Sequence, residues 1–248
     1  MKELKTGIQL YTLREALKQD FKGVIRELAK LKCDGVEFAC QYGDMEPQEL
    51  AEFMNSTGVT ACGMVSGADA LINPDDPAYD YARALKVENI NCSYFCDFAA
   101  EWQPLAAKLE LAGQVATEAG FRFSYHNHHA EFAKSSGECA LDLIYANTNP
   151  EFVLAELDMY WVAYGGEDPV SYIKKYNDRI HILHFKDMDK NDRSWTELGK
   201  GSIDLAACVY EARHSSCRWI VYEQDACKQD PMQSTIESLE YLNKLLGK

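Results

Sequence analysis

Eight short apolar runs, each followed by a longer segment of helical character, repeat along the whole of this chain. The runs are Gly7–Tyr11, Gly35–Ala39, Val59–Val65, Ile90–Phe95, Arg122–His128, Phe152–Asp158, Ile180–Phe185 and Trp219–Glu223. Between them lie Phe21–Leu31, Pro47–Ser56, Pro77–Leu85, Ala106–Ala119, Ala140–Ala146, Val170–Tyr176, Leu205–Ala212 and Pro231–Leu246, which read as helices. The first of these has apolar residues at 21, 24, 25, 28, 29 and 31, a stripe one face wide. Pro47 and Pro169 stand where a first helical turn tolerates proline. Alternating strands and helices build a parallel sheet. Eight such units in 248 residues match the length of a closed (β/α)8 barrel, the TIM barrel. No linker or composition shift divides the chain, so residues 1–248 are expected to form one such domain.

The charge balance narrows the partners. With 25 basic against 39 acidic residues, the net charge of −14 disfavours nucleic acid and anionic membrane surfaces. The nine cysteines are scattered, without a Cys-x-x-Cys pair, and read as reduced small hydrophobes rather than a disulfide framework or zinc ribbon. Charges at Lys2, Glu3 and Lys5 and the break at Gln9 argue against a signal peptide, and no apolar stretch is long enough to span a bilayer. A cytoplasmic location is the expectation.

Four runs in the second half end in acidic or imidazole side chains. Strand side chains alternate between faces, so His126 aligns with His128, Glu156 with Asp158, His184 with Lys186, and Glu223 with Asp225. Such groups are costly to bury unless hydrogen-bonded or bound to a metal. In a closed barrel the C-terminal strand ends ring one mouth. Asp158, His184 and Glu223 are the expected metal ligands, with His126 as the fourth unless Glu156 or Glu131 replaces it. A mixed oxygen and nitrogen set suits Mn²⁺, Fe²⁺, Co²⁺ or Zn²⁺. The alternative is a set of interior salt links without a metal.

His128 stands where a general base would face a bound substrate, or else makes an orienting hydrogen bond. Lys186 is expected to polarise a carbonyl or hold a substrate hydroxyl, with a salt link to Glu156 as the alternative. Glu37, flanked by Val36 and Phe38, is expected to reach the mouth from the second strand or to pair with a cation. Trp161 and Trp195 are candidate apolar walls, and the long segment Asp187–Gly201 is read as a loop bounding the site. His129, His181 and His214 are read as structural. Gly165-Gly166 and Gly199-Lys200-Gly201 match no phosphate-binding pattern.

The run Tyr125-His126-Asn127-His128, then Glu156-Leu157-Asp158 with Trp161, then His184-Phe185-Lys186-Asp187 and Glu223-Gln224-Asp225, resembles the sugar phosphate isomerase/epimerase group of xylose isomerase-like barrels. The resemblance implies one divalent metal, Mn²⁺ before Zn, Co, Fe or Mg, on His126, Asp158, His184 and Glu223. Many relatives have Glu where His126 stands, which departs from the paired-glutamate epimerase pattern. The Tyr-His-Asn-His variant is closer to inosose dehydratases and to lyases of 3-keto-glycosides, including C-glycoside-deglycosylating enzymes. AP endonucleases of the same superfamily use further histidines that are missing after Asp158 and His184 here.

The expected activity is enolisation of a keto-sugar or related polyol ketone, with His128, Glu223, Lys186 and Glu156 as the catalytic set. Glu37, Trp161, His128 and Lys186 are the expected substrate contacts. Isomerisation or epimerisation is the main reading, and dehydration or glycoside cleavage through the same proton abstraction the alternative. A third reading is a non-catalytic accessory subunit in a hetero-oligomer. The expected partner is a small sugar-derived ketone, and assembly stays open between homo- and hetero-oligomer.

Overall fold

The computed structural model describes residues 2–248; Met1, included in the expected single domain, lies outside them. Its barrel strands are β1 Lys5–Gln9, β2 Gly35–Ala39, β3 Thr60–Val65, β4 Asn89–Cys92, β5 Arg122–His126, β6 Leu154–Asp158, β7 Ile180–Phe185 and β8 Trp219–Tyr222. Each pairs in parallel with the next, and Lys5–Ile8 pairs with Trp219–Tyr222 to close the ring. The (β/α)8 expectation holds. Among the described residues no helix is long and apolar enough to cross a membrane. All nine cysteines are free thiols.

Helices Pro77–Leu85, Ala140–Ala146 and Pro231–Leu246 have the expected bounds. The helix expected from Phe21 begins at Arg14, but its backbone breaks at Asp20, whose side chain accepts from Gly23 N at 2.8 Å. Asp20 thus caps the second half, which is why the apolar stripe starts at Phe21. The first strand ends earlier than expected, at Gln9, because its side chain accepts from Tyr11 N and starts a 3-10 turn over Leu10–Leu13. The helix expected from Ala106 starts at Phe98 and runs through Pro104. Leu105, Ala106, Leu109 and Ala112 bury its inner face, and that packing outweighs the proline's lost hydrogen bond. The segment after β7 is not a plain loop: Asp187–Met188 pairs antiparallel with Trp195–Thr196.

Inside the barrel, side chains stack in layers. The lower layer is apolar: Cys62, Ile182, Trp219 and Val221. Trp219 fits because β2 supplies Gly35 beneath it, where an added Cβ would meet the indole at 3.2 Å and Thr60 O at 2.7 Å. The next layer is polar, with Glu37, Asn89, Asn91, Ser124, Glu156 and His184 all buried. Both of its glutamates sit at register shifts, one between Val36 and Glu37 and one between Ala155 and Glu156. Bulges re-aim side chains, and here they direct two carboxylates into the barrel axis. Gly63 leaves the space that Glu37 needs, since a Cβ there would lie 2.6 Å from Glu37 Oε1.

The strand carrying Glu156 and Asp158 is seated from outside by helix Phe98–Glu118. At Gly113 a Cβ would lie 2.3 Å from Phe152 O, a backbone atom that cannot swing aside. Gly113→Ala is therefore expected to lower unfolding stability by about 1–3 kcal/mol, despite alanine's higher helix propensity. Urea unfolding checks this; an unchanged or raised midpoint would show that the helix does not dock so closely.

Candidate metal centre

His126 closes β5, Asp158 closes β6, His184 lies one residue before the end of β7, and Glu223 follows β8. All four are buried, and one donor atom from each lies within 4.8 Å of the others. His184 is the hub. Its Nδ1 is 2.9 Å from Glu223 Oε2, and its Nε2 is 2.7 Å from Glu37 Oε2 and 3.3 Å from Glu156 Oε1. Below it Glu37 accepts from Gln9 Nε2 and Asn91 Nδ2, both at 2.7 Å. Glu156 Oε2 accepts from Ser124 Oγ at 2.8 Å and Asn89 Nδ2 at 3.3 Å, leaving Oε1 without a hydrogen-bond partner.

A second trio, Glu37, Glu156 and His184, also converges within 4.8 Å. The upper set fits a cation better. Both oxygens of Glu37 are already engaged, whereas His126 Nδ1 has no hydrogen-bond partner, its nearest carboxylate oxygen, Glu156 Oε1, standing 3.7 Å away. Buried polar atoms are rarely left so, and two carboxylates with two imidazoles form a borderline-to-hard donor set that suits a first-row divalent ion. Asp158 is also preoriented: its Oδ1 accepts from Trp161 N at 2.9 Å, capping Met159–Tyr164. Glu37 behind His184 Nε2 is the kind of outer carboxylate that fixes a metal-binding imidazole.

The charge around this set is lopsided. Glu37, Glu156 and Glu223 surround His184, while Asp158, Glu223 and Asp225 surround Lys186, a permanent cation that is itself buried. Lys186 Nζ lies 3.2 Å from Asp158, 3.0 Å from Glu223 and 2.8 Å from Asp225. Burial works against its charge, but these three carboxylates outweigh it and raise its pKa. Burial pushes Asp158 up to about 6 and, with the charge of Glu156, Glu37 up to about 7. At Glu223 burial is overcome by Lys186 and His184, which hold the carboxyl well below its usual range. His184 is displaced upward, its burial outweighed by Glu37, Glu156 and Glu223. Burial, reinforced by Lys186, depresses His128 to about 4 and keeps its ring neutral.

Above this floor opens a cleft of about 600 Å³. His126, His128, Glu156, His184, Glu223 and Asp225 border its base, and Tyr11, Phe95, Trp161 and Trp195 stand on its walls. The indole N–H groups of Trp161 and Trp195 and the Nδ1 of His128 have no hydrogen-bond partner. The Trp195 wall is pinned by Asp187, whose Oδ2 accepts from Gly199 N at 2.9 Å and Gly201 N at 3.0 Å. Its Oδ1 accepts from Met188 N at 2.8 Å and Ile203 N at 3.2 Å. The Gly199-Lys200-Gly201 run therefore cradles a carboxylate of the chain itself. A Cβ at Gly201 would sit 2.1 Å from Asp187 Oδ1.

The structure brings together His126, Asp158, His184, Glu223, Glu156 and His128 as the strand alternation implied, with Trp161 beside them. Two expectations change. Glu37 does not reach the mouth; it takes the other role expected of it, pairing with the His184 imidazole at 2.7 Å. Lys186 does not border the cleft, and its partners are Asp158, Glu223 and Asp225 rather than Glu156. Glu131 is outside the centre, accepting from Tyr125 OH at 2.8 Å on the outer side of β5. His129 borders the cleft, with its ring 5.2 Å from Trp161. Gln9, Asn89 and Asn91 were missed. The alternating amides of Asn89-Ile90-Asn91 were the readable signal, but the strand spans only Asn89–Cys92.

Residues 25–245 match the family described as Xylose isomerase-like TIM barrel. An inosose dehydratase of Lacticaseibacillus casei is 29% identical over 168 residues, 59% of this chain and 55% of that protein. One from Salmonella typhimurium is 27% identical over 167 residues, with 59% and 55% covered. The chain thus spans about half the length of the curated relatives it matches. A sugar phosphate isomerase/epimerase from Parabacteroides distasonis superposes with a TM-score of 0.83 at 20% identity, covering 97% of this chain and 98% of that one. The IOLI protein with a binding zinc atom gives 0.77 at 13% identity, with 98% of each chain covered.

Lys186 is the counterion that the carboxylates have without a metal. Lys186→Met is expected to cost about 3–5 kcal/mol in chelator, because it strands buried charge. Added Mn²⁺ should restore more stability to the variant than to the wild type. Urea unfolding with and without the ion reads both, and an unaltered midpoint in chelator would refute the counterion role.

Proposed function

Because this chain belongs to the xylose isomerase-like TIM barrel family, we propose that it is a divalent-metal-dependent isomerase or epimerase that enolises a keto-sugar or related polyol ketone. The observation that carries this reading is the convergence of donor atoms from His126, Asp158, His184 and Glu223, three of which, His126, His184 and Glu223, border an open cleft. These four would hold the ion, with Mn²⁺ the first choice for so oxygen-rich a setting. A divalent ion there supplies Lewis acidity, polarising a carbonyl and favouring negative charge on its oxygen.

The protein's own groups handle the proton. His128 borders the cleft, its ring 5.1 Å from that of His126, and it is neutral with a free Nδ1. It is the proposed base for the hydrogen beside the ketone. Glu223, kept ionised, and Glu156, whose Oε1 stands 3.3 Å from His184 Nε2, also border the cleft and are the proposed partners for the returning proton. Lys186 steadies Asp158, Glu223 and Asp225 from behind, and Glu37 orients His184. Trp161 closes one side and its unpartnered indole N–H is available to a substrate oxygen.

A dehydratase is the second reading, favoured by the inosose dehydratase relatives. It begins with the same proton abstraction and differs in losing a β-substituent afterwards.

Elemental analysis should find about one divalent metal per chain after Mn²⁺ loading, and none in Asp158→Asn with His184→Ala. Loaded protein should exchange the substrate α-hydrogen with deuterated solvent by NMR, in ketoses, inososes or 3-keto-glucosides. His128→Ala should slow that exchange by roughly 10²–10⁴-fold while leaving metal content intact. A protein that stays metal-free would make the cluster a structural polar core, and a loaded protein that exchanges none of the three substrate types would end the enolisation reading.

A further inference from the structure

Away from the barrel mouth, one cluster of reactive side chains has no part in enolisation. The chain leaves the His128 turn through a short hairpin in which Lys134–Ser135 pairs antiparallel with Glu138–Cys139. The two loop residues, Ser136 and Gly137, have φ of 53° and 93°. Positive φ at both loop positions belongs to the tight hairpin turn whose twist suits the strands it joins. Loop length and turn type fix the register, so Lys134 stands directly opposite Cys139.

The hairpin thereby sets an amine against a thiol. Lys134 Nζ lies 2.9 Å from Cys139 Sγ and 2.9 Å from Glu167 Oε1, and Sγ is itself 3.5 Å from that oxygen. Cys33, Cys40 and Cys217 meet backbone carbonyls instead, and among the described residues only Cys139 is hydrogen-bonded to a lysine. Oxidation-prone cysteines sit beside a cation and near solvent. Cys139 is buried, but the lysine over it has a side chain 55% exposed, so a small oxidant reaches the sulfur when that side chain swings aside. Nitrogen and sulfur are already about as far apart as two atoms that share one bridging oxygen. A direct S–N bond would need them to close much further.

We propose that Lys134 and Cys139 are a modification site, joined by hydrogen peroxide into a covalent N–O–S bridge. One thiol, one amine and two peroxide molecules give one bridge and three waters. An S–H and an N–H bond break, and S–O and O–N bonds form. Sulfur and nitrogen each give up two electrons, and the two peroxide O–O bonds accept the four. Glu167 takes the proton that the ammonium must shed first. The bridge removes the charge of Lys134 and leaves Glu167 without the cation it pairs with.

Peroxide treatment of the full chain, then unfolding, trypsin digestion and mass spectrometry with fragment ions, tests this. Residues 134–139 are expected to gain one oxygen and lose two hydrogens, about 14 Da, with trypsin no longer cutting after Lys134. Dithiothreitol should restore both the mass and the cleavage. Lys134→Arg and Cys139→Ser should each abolish the bridged form, and circular dichroism checks their folding. The wild-type spectrum is decisive by itself, so a variant that fails to fold shields nothing. One or two oxygens on Cys139 with Lys134 still cleaved, a loss of two hydrogens alone, or a disulfide would each overturn the proposal. So would an unmodified segment at a peroxide level that oxidises the exposed Cys40.

Discussion

Everything in the upper half of this barrel depends on burying negative charge. Glu37, Glu156, Asp158, Glu223 and Asp225 crowd into a space walled by strands, and carboxylates so placed need compensating cations. Lys186 supplies one, and His184, with its pKa drawn upward, acts as a second. His184 lies in β7 and Lys186 just past its end, and β7 is paired between β6, which carries Glu156 and Asp158, and β8, which leads to Glu223 and Asp225. The remaining appetite for positive charge is directed at the point where His126, Asp158, His184 and Glu223 meet.

The lower half makes that arrangement possible. An apolar plug of Cys62, Ile182, Trp219 and Val221 closes the barrel beneath the polar layer. Two irregularities in an otherwise regular sheet, before Glu37 and before Glu156, aim the deep carboxylates inward. Amide side chains of Gln9, Asn89 and Asn91 then fix them by hydrogen bonds. The sheet supplies rigidity, while its few departures from regularity supply the site.

Legibility in the sequence followed locality. Leu154-Ala155-Glu156-Leu157-Asp158 announces its two faces, because acids at alternate positions in an apolar run can only share a side. His184 with Lys186 and His126 with His128 were readable for the same reason. Depth was not. Whether Glu37 lies at the mouth or beneath His184 depends on a register shift and on the missing side chain of Gly63, both contributed with a neighbouring strand. The partners of Lys186 depend on where the chain goes after β8, which brings Asp225 to it. Phe95 ends a run expected to be strand, but the strand stops at Cys92, and Asp187 follows the end of β7, so alternation could place neither of them.

Asp158 uses its two oxygens for different ends. One holds the backbone N–H of Trp161 and the other turns toward His126 and Lys186. A single rigid carboxyl plane therefore joins the floor of the cleft to its indole wall. A larger or smaller occupant on the floor would tilt that plane and carry Trp161 with it. Floor and wall are thus coupled mechanically through one side chain, and a substitution at Asp158 would loosen both together.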